Sequence, residues 1–209
     1  MTADATPPEA YGTLYVVGIG PGLPHAMTQR ATDVIESADC VIASNLYQEF
    51  LREDGTLPTA DGEDESEATD AGEEDDEAAA DGGAAAARPE GWTDGTMLTR
   101  PDGTEQELVR SSMGQQVELT REAFDRVRSG QDVAHVSGGD PNVYGKSDLV
   151  FLMADEEDAT DVPIEIVPGV TAALGGAANL GAPLSNDFCT ISLSDKRSEE
   201  RRVGKECRL

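Results

Sequence analysis

The chain has 209 residues, 42 acidic against 15 basic, for a net charge of −27. Such a polyanion is excluded from partners approached through phosphates, because nucleic acid needs a basic surface. No apolar run reaches the roughly eighteen residues of a membrane span, and the first ten residues lack the basic start and apolar centre of a secretory signal, so the sequence reads as a cytoplasmic protein with no membrane partner.

The charge is uneven. Glu53 to Glu107 carries 19 acidic residues and two arginines, whereas Lys196 to Leu209 has six basic residues and three acidic ones. Before Lys196 the only lysine is Lys146, and acids are spread over the remaining chain. This is the surface expected in a high-salt, halophilic cytoplasm, where screening makes self-repulsion tolerable. Cys40, Cys189 and Cys207 are too few and too far apart for a disulfide framework or a metal site, and the first two read as small core residues.

Residues 1–10 are expected to be disordered. Leu14 to Ile19 is a β-branched run suited to a buried parallel strand, ending in the turn Gly18-Ile19-Gly20-Pro21-Gly22. That turn lacks the last glycine of a dinucleotide fingerprint. Thr28 is placed to cap a helix with apolar positions Ala31, Val34, Ile35 and Ala38, and Cys40 to Ala43 is the second strand. A further helix starts over Asn45 to Arg52.

Residues 53–107 read as an acidic, disordered insertion with a brief ordered piece near Trp92 to Leu98, since they lack the apolar anchors that offset ordering entropy. Val109 then suggests a short edge strand, and Leu119, Ala123, Phe124 and Val127 one face of a helix ended by Gly130. Asp132 to Ser137 is a strand delivering Ser137-Gly138-Gly139-Asp140-Pro141-Asn142-Val143-Tyr144-Gly145, a shaped loop where open α/β sheets place their ligands. Leu149 to Ala154 is helical, and Ile164 to Val167 is a strand. Pro168-Gly169-Val170-Thr171-Ala172-Ala173 opens a small-residue helix through Leu180, and Cys189 to Leu193 is a last strand. His135 reads as a packed, hydrogen-bonded strand residue and His25 as a loop residue; neither has metal-ligand company.

The three glycine motifs, in this order and at strand ends, resemble those of the tetrapyrrole methyltransferase family. The resemblance covers Leu14 to Arg52 and Leu108 to Asp195. It implies a non-Rossmann α/β fold of two domains with the active site in the cleft between them, S-adenosylmethionine as methyl donor, and homodimers at full length. By family analogy Pro21, Gly138, Gly139, Asp140, Val143, Thr171 and Ala172 fall at donor-binding positions. Asp140 has a competing role as a carboxylate capping its own loop. The catalytic residue is unassigned. Within the family, Asp187 to Asp195 resembles members that methylate carbon 17 of a corrin precursor with ring contraction, acting on precorrin-3B or cobalt-factor III.

These implications give an N-terminal domain of 11–52 and 108–167 and the start of a truncated C-terminal domain over 168–195. The resemblance stops at Asp195, and the basic stretch 196–209 reads as a non-native tail of adapter or vector origin. The fragment is therefore expected to be inactive. Another tetrapyrrole acceptor, such as uroporphyrinogen III, is the neighbouring alternative. A non-catalytic acidic binding protein using residues 53–107 as its arm is the alternative of another class. A nucleotide-binding protein is disfavoured because no Gly-Lys-Ser/Thr is present to meet phosphates.

Overall fold

The computed structural model describes residues 11–23, 25–58, 92–184 and 188. Stretches 1–10, 59–91 and 189–209 lie outside the described residues, and with them most of the acidic insertion, the expected strand from Cys189 and the basic tail.

A single six-stranded sheet organises the chain. Its strands are β1 (Leu14–Gly18), β2 (Cys40–Ala43), β3 (Thr96–Thr99), β4 (Glu105–Arg110), β5 (Val133–Ser137) and β6 (Ile164–Val167). They lie in the order β3-β4-β2-β5-β1-β6, all parallel except β3, which pairs antiparallel with β4. This is not the 3-2-1-4-5-6 order of a dinucleotide fold. The helices are α1 (Gln29–Ser37), α2 (Asn45–Glu53), α3 (Gln116–Arg128), α4 (Ser147–Glu156) and α5 (Ala172–Leu180). One sheet face packs Val34 and Ile35 of α1 and Leu51 of α2 against Val17, Val41 and Val136. The other packs Leu119 and Phe124 of α3 and Val150 and Met153 of α4 against Val16, Ile42 and Val133. With both faces covered, the central strands are apolar apart from His135 and Ser137 on β5 and half-buried Tyr15 on β1, in keeping with a buried parallel sheet.

Local signals act as expected at several termini. The Thr28 hydroxyl accepts from the Ala31 N–H at 3.2 Å, and α5 ends at Gly181 with φ 62°. Two expectations change. Val109 belongs to a six-residue strand, β4, which lies inside the edge because β3 covers it. The ordered piece expected near Trp92 to Leu98 is present, with Leu98 buried on β3, but it runs on without a break into β4, and Leu57, within the stretch read as unanchored, is also buried in the core. An isolated leucine in a polar run gives no periodicity, so its burial is set by tertiary neighbours.

His135 is fully buried on β5 between Val16 and Ile42, but neither ring nitrogen has a hydrogen-bond partner. This corrects the hydrogen-bonded reading: neighbouring strands spend their polar groups in the ladder and offer only apolar side chains. Burial, and then the Lys146 charge, push its pKa well below 6.5. The unfolded chain therefore takes up a proton that the folded chain refuses, so stability is full above pH 6.5 and falls as pH drops below it. Thermal melts between pH 7.5 and 5.5 are expected to show this decline. His135→Leu should flatten it; an unchanged slope in that variant would locate the titration elsewhere.

Candidate functional site

Three loops leave the carboxyl ends of β1, β5 and β6, which are adjacent in the sheet. The first two are joined by a pair of backbone hydrogen bonds: the Gly20 N–H donates to the Gly139 carbonyl at 3.1 Å, and the Gly139 N–H to the Gly20 carbonyl at 2.7 Å. The third comes so close that a Cβ built on Gly169 would lie 2.1 Å from the Gly139 oxygen and 2.8 Å from the Gly18 oxygen. Only glycine allows the three backbones to meet. Thr171 then caps α5 by accepting the Leu174 N–H at 3.3 Å, and Gly175 brings that helix onto the Pro21 ring.

Asp140 ties this assembly together. One carboxylate oxygen accepts the Asn142 N–H at 2.8 Å, closing its own turn, and the other accepts the Gly169 N–H at 3.2 Å across to the third loop. The capping role is thus present, together with a cross-loop bond that sequence spacing does not reveal. Asp140→Ala is expected to cost about 2 kcal/mol, since two N–H groups lose a charged acceptor. It should also accelerate hydrogen exchange at Gly169; protection equal to wild type there would rule out the cross-loop bond as a tie.

Above the loops lies a cavity of about 930 Å³. Pro21, Gly138, Gly139, Asp140, Val143, Thr171 and Ala172 all line it, so the seven predicted site residues, scattered over 152 positions of sequence, come together. The glycine loops form its floor, and α5, following β6, forms one flank. The other flank is α2, following β2, through Leu46, Tyr47, Glu49, Phe50 and Glu53. Sequence reading placed this helix but assigned it no part in the site. Its signal was present: the five positions recur at the three- and four-residue spacing of one helix face.

Among the described residues, no histidine, cysteine, lysine or arginine lines the cavity. His25 is an exposed loop residue with φ 61°, and Lys146, which begins α4 just beyond the glycine loop, has its pKa pushed down to about 8 by burial. The wall consists of apolar side chains, glycine backbone, a capped helix start and three carboxylates. Such a site is suited to holding and aligning a ligand with apolar and polar parts, rather than to attack by a side-chain nucleophile.

Residues 13–207 match the family model of tetrapyrrole (corrin/porphyrin) methylases. The precorrin-3B C(17)-methyltransferase of a Sinorhizobium species is 33% identical over 200 residues, covering 95% of this chain and 59% of that protein. A probable cobalt-factor III C(17)-methyltransferase of Salmonella typhimurium is 26% identical over 182 residues, covering 87% and 55%. Among solved structures, the methyltransferase CobJ has a TM-score of 0.62 at 22% identity, covering 92% of this chain and 62% of that one. Uroporphyrin-III C-methyltransferase of Thermus thermophilus, solved with S-adenosyl homocysteine, has a TM-score of 0.50 at 23% identity, covering 87% and 57%. At these identities the structural matches speak for the fold. The chain spans less than two thirds of the length of each of these proteins.

Proposed function

The chain belongs to the tetrapyrrole (corrin/porphyrin) methylase family, and from that membership we propose that the whole protein methylates carbon 17 of a corrin precursor in cobalamin synthesis, with ring contraction and with S-adenosylmethionine as donor. The acceptor is precorrin-3B or cobalt-factor III, as the names of the relatives at 33% and 26% identity suggest. The observation that carries the reading is the convergence of seven residues from three loops on one cavity.

S-adenosylmethionine, when bound, supplies a methyl group made electrophilic by its sulfonium. The cavity fits such a molecule in volume and in chemistry. Gly138 and Gly139 present backbone to the cavity, Val143 gives an apolar contact, and the acidic lining favours a cationic ligand. The chain's own contribution is to bind, orient and exclude water, because transfer to a nucleophilic ring carbon needs alignment more than acid or base assistance.

Calorimetric titration of S-adenosylhomocysteine in molar salt tests this. One-to-one binding is expected, weakened at least tenfold by Val143→Asp. Absence of binding, both to this chain and to one extended through the parent gene, would sink the assignment; mass and NMR analysis of the product then decides the carbon.

A further inference from the structure

The donor positions account for the floor of the cavity and its α5 flank. They leave α2 without a role. Tyr47 is the informative residue on that helix. A Cβ on Gly138 would lie 2.6 Å from the Tyr47 hydroxyl oxygen and 3.1 Å from its Cζ, so the tip of the phenol rests against the first glycine of the central loop. Yet the hydroxyl makes no hydrogen bond to any described residue, although it stands in a wall where the Asp140 and Thr171 oxygens are engaged by backbone N–H groups. A half-buried tyrosine hydroxyl ordinarily finds a partner. Phe50 follows one turn later on the same face, and Leu46, 70% exposed, precedes it. Glu49 and Glu53 flank this apolar strip and are exposed.

We propose that α2 is the acceptor wall, with Tyr47 as the positioning residue for a flat, polycarboxylate tetrapyrrole; this rests on the donor reading of the glycine loops given above. The macrocycle seats its apolar face along Leu46 and Phe50. The Tyr47 hydroxyl donates to a peripheral carboxylate at the boundary with the donor floor. Glu49 and Glu53 repel the remaining carboxylates and turn them toward solvent, so the two acids set orientation by exclusion. The glycine at 138 then has a second purpose: it leaves the phenol room to stand where donor floor and acceptor wall meet.

The test uses uroporphyrin III as a stable tetrapyrrole probe, titrated by fluorescence quenching, with S-adenosylhomocysteine calorimetry on the same preparations. Tyr47→Phe keeps the ring and is expected to weaken uroporphyrin III about five- to tenfold, as loss of one hydrogen bond predicts, and to leave S-adenosylhomocysteine unchanged. The double variant Glu49→Gln with Glu53→Gln should bind the porphyrin more tightly and with less dependence on salt. The proposal is overturned if wild type does not bind uroporphyrin III, if Tyr47→Phe binds it as wild type does, or if Tyr47→Phe loses affinity for both ligands alike. Failure of wild type to bind S-adenosylhomocysteine would instead count against the donor reading, while the porphyrin titration still decides the role of α2.

Discussion

Gly169→Ala is expected to be the most damaging single methyl among the glycines of the three site loops. The added carbon would sit 2.1 Å from one backbone oxygen and 2.8 Å from another, on the two other loops of the site. Neither obstacle is a side chain that can rotate away, so the β6 loop must separate from the β1 and β5 loops. About 3 kcal/mol of stability is expected to be lost, the upper end of overpacking costs, with S-adenosylhomocysteine binding weakened well over tenfold. Gly176→Ala is the control. It lies in α5, has nothing within 4 Å of its Cβ position, and should leave the fold intact or stabilise it by up to about 1 kcal/mol. Equal melting temperatures for the two variants would show that the loops are not packed as described.

Arg126→Met is expected to cost about 3 to 5 kcal/mol, chiefly because it removes the buried guanidinium that bridges the Glu107 and Glu122 carboxylates. Arg126 is fully buried on α3. Its guanidinium donates to Glu107 at 2.7 Å and to Glu122 at 2.8 Å, and lies 4.3 Å from the Trp92 ring centre. Burial alone would lower its pKa, but the hydrogen bonds to Glu107 and Glu122 outweigh that and raise it, so it stays charged. Glu122 in turn accepts the Thr93 N–H at 2.9 Å. The arginine thus fastens the chain entering β3 to the body of the domain. Urea titrations of the variant and the wild type check this; a deficit below about 1 kcal/mol would show that the buried cluster does not hold the fold as described. Adding Glu107→Gln and Glu122→Gln to Arg126→Met should recover part of the stability.

Much of the site was legible because its requirements are local. A glycine cluster at the end of a β-branched run marks a place where backbones approach, and Thr28 and Thr171 announce their helices through hydrogen bonds three residues away. The order of the three motifs carried the family resemblance and, with it, all seven residues that now line the cavity.

What the sequence by itself determined, then, is whatever depends on neighbours in the chain: strand and helix types, caps, glycine loops and the net negative field. Tertiary structure decided whatever depends on distant partners. Glu107, Glu122 and Arg126 read as ordinary charges of a solvated surface until β4 and α3 bring them together in the interior. Likewise, β3 has no strand signature strong enough to stand alone and exists because β4 offers it an unpaired edge. Tyr47 belongs to the site because the sheet places β2 beside β5, carrying α2 over Gly138, ninety-one positions away in sequence. Periodicity records which face of a helix is apolar, but strand order alone sets what that face meets.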